Sequence, residues 1–340
     1  RQACHRFLYR HGKGMKQTLL YVYEERSPED LRALVLSYFP KEEFEVDSMT
    51  YLTPDEEKKK KLQWAEVVMF APGRALPDEV LAAGKNIKLM QLWSSGYDKF
   101  NVLGATKAGI PVANNGGANA GSVAEHAVLL MLAIAKWLPD SYKRTVTGTW
   151  RGNKHGVDMF MLKGKKIGIV GFGNIGRSVA RILKGFQSVV SYYDVKRAEE
   201  TVEKELAARF SPFEEILKNS DIITLHVHEN ASTKNIIGAK EFGTVKKGVV
   251  LINVSRAGLV DQEAFLKALT DGTLHGAGLD VYPKEPTEAH DPVLTLPNVV
   301  ATPHMAGSTM DAYREALGNA VLNFKRVQRG EKPLWVVNNI

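Results

Sequence analysis

One stretch constrains the fold more than any other. Lys165-Lys-Ile-Gly-Ile-Val170 runs without a break into Gly171-Phe-Gly173-Asn174-Ile175-Gly176, and Arg177-Ser-Val-Ala-Arg-Ile-Leu183 follows. The first part is the short apolar run of a buried strand, and the last reads as a helix. Gly171 lets the chain turn tightly, Gly173 removes a side chain that would block a pyrophosphate, and Gly176 lets helix and strand pack closely. The helix N-terminus then offers unpaired N–H groups to phosphate oxygens. A second strand, Val189–Tyr193, ends in Asp194, 18 residues beyond Gly176. A carboxylate there accepts hydrogen bonds from the adenosine ribose hydroxyls and repels a 2′-phosphate, which favours NAD over NADP. Lys196 and Arg197 pull the other way, since either could pair with that phosphate. A glycine turn that serves packing alone explains neither the strand before it nor the acid after it.

The surrounding chain alternates in the same manner. Thr18–Tyr23, Val67–Phe70 and Lys88–Leu92 read as short buried strands, with polar helical segments between them. Ser27-Pro-Glu-Asp30 opens a helix with proline in its first turn. A second unit begins near Asn114, strand and helix alternate from Lys165 to about Pro303, and Asp311–Arg329 reads as a closing amphipathic helix. The pattern is α/β with parallel sheets, and 340 residues are enough for two domains. Ser122–Leu138 is a long helix that Pro139 breaks. It is apolar on nearly all sides, so it must be buried, within its own chain or against a second subunit.

Bulk properties exclude some functions. The longest apolar run, Ala127–Ala135, is stopped by Lys136, short of the ~20 residues a membrane helix needs. Of the net charge of +7, Arg1, Arg6, Arg10 and Lys13 supply four within residues 1–14, which hold no acid. That segment reads as a non-native or disordered extension ahead of the first strand. The body then carries only about +3, too little by itself to imply nucleic-acid binding. Cys4, in the same segment, is the only cysteine, so the body has no disulfide framework, Cys-based zinc site or thiol nucleophile. No metal is expected, and the cytoplasm is the expected compartment.

Three further segments carry candidate chemistry. Val249-Val-Leu-Ile-Asn-Val254 is a buried strand followed by Ser255 and Arg256. A guanidinium just past a strand's C-terminal end lies where ligands bind in open α/β sheets and can hold a carboxylate in a fork. A surface salt bridge is the plainer reading of that arginine alone. Gly276-Ala-Gly-Leu-Asp280-Val-Tyr-Pro-Lys-Glu285-Pro286 is the second segment, and Asn298-Val-Val-Ala-Thr-Pro303-His304 the third. Together Arg256, Glu285 and His304 supply an anion clamp, a carboxylate and a proton donor, the set that carbonyl reduction needs.

With these motifs in this order, the sequence resembles the D-isomer-specific 2-hydroxyacid dehydrogenase family over nearly all of residues 88–310. The segments that carry the resemblance are Gly171–Gly176, Asn119–His126, Ile252–Asp261, Leu279–Tyr282 with Glu285-Pro286, and Thr302-Pro-His304. The resemblance implies two Rossmann-like domains with parallel sheets and a cleft between them. Residues 15–112, completed by 308–340, would form the substrate-binding domain, and 113–307 the NAD-binding domain. It implies hydride transfer between nicotinamide and C2 of a small anionic 2-hydroxy or 2-oxo acid. His304 would be the acid/base, Glu285 its partner, and Arg256 the group that binds the substrate carboxylate. Asp280 would bond the nicotinamide carboxamide, His226 and Val254 would line the cofactor, and the Ser95 and Gly96 backbone N–H groups would face the carboxylate. The helix 122–138 resembles the family's dimerisation helix, so a homodimer is expected.

The sequence also departs from the family. Lys99 and Asn101 stand where Asn and Asp are frequent, Gly116 replaces a frequent Pro, and His228 replaces the usual Pro after His226. His126, His155, His275 and His290 lack a constellation and read as structural or surface residues. A dinucleotide-sensing corepressor is the reading from another class, disfavoured because all three reacting groups are present. A formate-type enzyme is disfavoured because Glu285 stands where that branch has Gln. D-3-phosphoglycerate, glyoxylate and hydroxypyruvate remain open as substrates, with the chain expected to be too short for an added regulatory domain.

Overall fold

The computed structural model describes residues 16–150, 156–338 and 340; the expected extension at 1–14 and His155 lie outside the described residues. The chain divides into two compact units. One contains the described residues up to Gly116 and those from Arg314 onward, the other Gly117–Tyr313. Each is built on a sheet whose strands all pair in parallel. Both are Rossmann-like.

In the first unit the strands are β1 (Gln17–Tyr23), β2 (Phe44–Thr50), β3 (Val67–Ala71), β4 (Leu89–Leu92) and β5 (Val112–Ala113), in the order β2-β1-β3-β4-β5. Alternate side chains enter opposite layers. Leu20, Val22, Val68, Phe70 and Met90 pack against Leu62, Val80 and Leu81. Leu19, Tyr21, Val67, Met69 and Leu89 pack on the other face against Val35, Leu317, Ala320 and Phe324. Both faces are covered, which is why β3 reads as a continuous apolar run and not as an alternating one. Three of the covering side chains, Leu317, Ala320 and Phe324, come from the long closing helix Met310–Gln328. Burying a side chain the size of Phe324 stabilises by roughly 1.5–3 kcal/mol.

That helix is also fixed by polar contacts. Asn323, fully buried, donates to Gln91 Oε1 at 2.9 Å and accepts from the Leu334 N–H at 2.8 Å. Gln91 lies in β4 and donates to the Asn114 carbonyl at 2.7 Å. The network therefore steadies the end of β4, from which the Ser94–Gly96 loop departs.

The second unit contains β6 (Lys166–Val170), β7 (Val189–Tyr193), β8 (Ala208–Phe210), β9 (Ile222–Leu225), β10 (Val249–Asn253), β11 (Leu274–Leu279) and β12 (Val299–Ala301). Their order is β12-β11-β10-β9-β6-β7-β8, so the winding reverses between β6 and β9. The helix Asn174–Gly185 follows β6 and buries Val179, Ala180 and Leu183 on one face of this sheet.

The apolar helix spans Ala120–Ala135, shorter than expected, and buries Val123, Ala124, Ala127, Val128, Leu130, Met131 and Ile134 within its own unit. The break comes before Pro139. Trp137 adopts a left-handed conformation with φ 52°, and Pro139 sits in the first turn of a new helix, Leu138–Val146. Proline is tolerated there because first-turn N–H groups have no helical partner, so this residue starts a helix and does not end one. No single helix among the described residues is long and apolar enough to cross a membrane.

Candidate active site

Parallel strands deliver every C-terminus to one edge of the sheet, and the candidate groups of the second unit follow that edge in strand order. His304 follows β12, Asp280 and Glu285 follow β11, and Val254 and Arg256 follow β10. His226 follows β9, the glycine turn follows β6, and Asp194 follows β7. Ligands in such folds bind at the point where winding reverses, here between β9 and β6.

The glycine turn is shaped for a dinucleotide. Gly171 has φ 95°, and a Cβ there would stand 2.6 Å from the His226 backbone carbon. A Cβ on Gly176 would stand 2.1 Å from the Gly171 carbonyl oxygen, so helix and turn could not close. A Cβ on Gly173 would meet nothing within 4 Å; glycine there keeps open the space a diphosphate needs. Asp194 accepts from the Phe172 N–H at 2.6 Å, which ties the candidate ribose carboxylate to the turn. Arg177 braces the same loop, donating from Nε to the Phe172 carbonyl at 3.0 Å. His226 is half-buried with Nδ1 enclosed: Nε2 lies 2.9 Å from Thr224 Oγ1, and Nδ1 has no partner. Burial pushes its pKa down to about 3, so the ring is neutral. These features fit NAD.

Two of the candidate groups, His304 and Glu285, meet at the other end of the edge. His304 Nδ1 lies 2.9 Å from both carboxylate oxygens of Glu285. Glu285 is anchored by the Tyr282 N–H, which donates to Oε1 at 3.2 Å. A carboxylate on Nδ1 favours the tautomer that leaves Nε2 to exchange a proton with substrate. The His304 side chain is 42% exposed, so that nitrogen has room to be reached.

His304 is also strained, with φ 52°. A non-glycine residue in this region costs about 1–3 kcal/mol and persists only where neighbours enforce it. Asp280 supplies the enforcement. Its Oδ1 accepts from the Met305 N–H at 2.9 Å and from the Thr302 hydroxyl at 2.6 Å, and its Oδ2 accepts from the Ala306 N–H at 2.8 Å. With its side chain only 1% exposed, Asp280 clamps the turn on both sides of the imidazole. Oδ2 keeps capacity for one further donor, the carboxamide role that the resemblance implies.

Sequence reading missed two members of this cluster. Thr302 was seen only as part of a motif, and His126 was set aside as lacking a constellation. His126 Nε2 lies 2.8 Å from Thr302 Oγ1 and 3.7 Å from Asp280 Oδ1. The spacing of 176 residues between His126 and Thr302 hides the pair from any local pattern. His275 lies edge-on to Trp137 and Phe160, and His290 lies in the loop after Glu285.

Arg256 stands at the end of β10 with Nη1 donating to the Ser255 carbonyl at 2.7 Å. Its backbone carbonyl accepts from Asn253 Nδ2 at 2.8 Å, which holds the turn that presents it. In the first unit, the Ser95 carbonyl accepts from Asn114 Nδ2 at 3.1 Å, and the Gly96 carbonyl accepts from Ser94 Oγ at 2.7 Å. Two departures have local causes. Gly116 has φ 69° against the Trp335 ring, a conformation closed to proline. Asn101 caps the helix Val102–Lys107 by accepting from the Gly104 N–H at 2.9 Å, as an aspartate would. His228 is exposed, and its carbonyl accepts from Thr233 Oγ1 at 2.6 Å.

A reversed parallel sheet with a glycine turn, a carboxylate bonded to that turn and a carboxylate-paired histidine on one edge defines a nicotinamide-dinucleotide oxidoreductase. Comparison with known proteins agrees. The family model for D-isomer specific 2-hydroxyacid dehydrogenase, NAD binding domain, matches residues 128–306. A glyoxylate reductase of Korarchaeum cryptofilum is 37% identical over 262 residues, 76% of this chain and 79% of that protein. A D-3-phosphoglycerate dehydrogenase of Archaeoglobus fulgidus is 35% identical over 82% of this chain but only 52% of its own length. Among solved structures, a glyoxylate reductase from Paecilomyes thermophila aligns with a TM-score of 0.79 at 26% identity, covering 95% of this chain and 98% of that one. The chain belongs to the D-isomer-specific 2-hydroxyacid dehydrogenase family. It is an NAD-binding oxidoreductase acting on the CH–OH group of a hydroxy acid.

Proposed function

We propose that this protein reduces a short, unphosphorylated 2-oxo acid of the glyoxylate or hydroxypyruvate type, with His304 as the proton donor. The observation that carries the reading is the bond between His304 Nδ1 and both Glu285 oxygens at 2.9 Å. When bound, the nicotinamide supplies the hydride. His304 holds a proton on Nε2 and delivers it to the C2 oxygen, while Glu285 orients the ring and stabilises its charged form. Arg256 receives the substrate carboxylate and draws electron density from the carbonyl. Asp280 holds His304 in place. Gly171, Gly173, Asn174, Ile175 and Gly176 receive the pyrophosphate, and Asp194 the ribose; His226 and Val254 line the same crevice. Ser95 and Gly96 keep the substrate-loop role that the family resemblance implies, and on that reading the unit of the residues up to Gly116 and from Arg314 onward is the substrate domain.

Relatives named glyoxylate reductase match over about four-fifths of their own length, which supports the small-acid reading. The deciding assay follows NADH oxidation with glyoxylate, hydroxypyruvate, pyruvate, larger 2-oxo acids and phosphohydroxypyruvate. The highest kcat/KM is expected with one of the first two; a preference for phosphohydroxypyruvate would reject the choice of substrate. His304→Ala should lower kcat by ~10²- to 10⁴-fold while NADH binding is kept. Near-normal turnover in that variant would remove His304 from the mechanism.

We further propose a homodimer. Leu138, Tyr142 and Val146 follow one another at four-residue spacing on one helix face and are 51%, 67% and 62% exposed. A second copy would cover this stripe, on the helix after the one that the sequence pointed to.

A further inference from the structure

Arg197 lies three residues after Asp194, in the stretch from which arginines of dinucleotide folds reach a 2′-phosphate. In this chain the guanidinium is turned onto Glu203. Its Nε donates to Oε1 at 2.9 Å and its Nη2 to Oε2 at 2.8 Å, the two-pronged geometry that makes such pairs strong. The carboxylate is in turn held from the protein side. Tyr192, fully buried, donates its hydroxyl to Glu203 Oε1 at 2.6 Å and accepts from the Ala198 N–H at 2.9 Å. The Tyr192 ring stacks on Phe172 with centroids 3.8 Å apart, and Phe172 is the residue whose N–H bonds Asp194. The Glu203 side chain is only 9% exposed, so it cannot leave Arg197 for solvent without breaking the Tyr192 bond. The two bonding partners, Arg197 first, hold its pKa down to about 2, so the latch is charged across the physiological range.

We propose that Glu203 is a second determinant of dinucleotide choice: by holding Arg197 it withholds the cation that would pair with a 2′-phosphate, leaving the repulsion from Asp194 unopposed. This rests on the reading of Gly171–Asp194 as the NAD site. Lys196, which is exposed, is the competing phosphate partner that the test must separate. Discrimination is then built in two layers, a charge that rejects the phosphate and a latch that neutralises its receptor, whose own side chain stays 62% exposed.

The test titrates the full chain with NADH and with NADPH, reading nicotinamide fluorescence, so that no turnover is needed. Wild type and Glu203→Gln should bind NADH alike, because Gln keeps an acceptor for Tyr192. Asp194→Ser should gain NADPH affinity, and adding Glu203→Gln should raise it by about a further tenfold, the size of coupling expected within one contact network. Arg197→Ala on that double variant should abolish the further gain. Glu203→Asp, whose shorter arm cannot reach Arg197 and Tyr192 together, gives a second way to open the latch should the Gln variant fail to fold. No extra gain from either variant overturns the proposal, and so does a gain that survives the loss of Arg197, which would assign the phosphate to Lys196. Wild type that binds neither dinucleotide would sink the NAD-site reading itself, a failure seen before any variant is compared.

Discussion

His304 holds a backbone conformation that histidine does not favour, and the groups that keep it there are as telling as the imidazole. The chain His126 Nε2 to Thr302 Oγ1 to Asp280 Oδ1, at 2.8 and 2.6 Å, ends on the carboxylate that clamps residues 305 and 306. Thr302→Val keeps the shape but leaves His126 and Asp280 each one bond short, a loss of about 1–3 kcal/mol in stability. Because it loosens the clamp on His304 and leaves Arg256 and the glycine turn untouched, kcat should fall by a larger factor than KM or NADH affinity changes. A fall in KM-linked binding alone would show Thr302 to be structural only. His226 makes a different prediction. Its folded pKa, near 3, lies below the ordinary value of about 6.5, so below that pH the unfolded chain takes up a proton that the folded chain refuses. The contribution is fully present above pH ~6.5 and is lost as pH falls toward 3, at up to ~1.4 kcal/mol per pH unit. Urea unfolding at a series of pH values should show this slope, and His226→Gln should flatten it.

The closing helix Met310–Gln328 and the strand β4 are joined by side chains 232 residues apart in sequence, Asn323 and Gln91. Asn323→Ala would orphan a buried Gln91 oxygen and the Leu334 N–H. The expected cost is about 1–3 kcal/mol, measurable as a lower denaturant midpoint with an unchanged m-value. Since β4 leads into the Ser94–Gly96 loop, KM for the 2-oxo acid should rise as well. At this scale the sequence was a partial guide. Strands β6 and β10 were legible because both their faces are buried from Ile167 and Val249 onward and their apolar runs are unbroken. Strand β2, Phe-Glu-Val-Asp-Ser-Met-Thr, was not singled out, because it carries charge at Glu45 and Asp47 and pairs on one side only. Proline at 139 reads in the sequence as a helix stop and in the structure is part of a helix start; the residue alone does not distinguish the two, and the left-handed turn at Trp137 does.

At the scale of the molecule, exposed apolar side chains mark where more surface must be covered. Val146→Asp should place a charge in the stripe of Leu138, Tyr142 and Val146, so sedimentation should show the wild type as a dimer and the variant shifted toward monomer. An unchanged wild-type monomer would remove the dimer from the reading. The sequence by itself determined the fold class and the glycine turn, and it offered Arg256, Glu285 and His304 as candidates, of which the structure pairs Glu285 with His304. Those rest on local patterns: strand into glycine turn into helix, and a titratable residue just past a strand end. Only the tertiary structure decided that Asp280, Thr302 and His126 brace the turn that carries His304, and that Glu203 holds Arg197. The reason is physical: a hydrogen bond between side chains is set by where strands and helices bring their ends. Strand order places β12 beside β11 and the helix Ala120–Ala135 against them, and no spacing along the chain encodes that meeting.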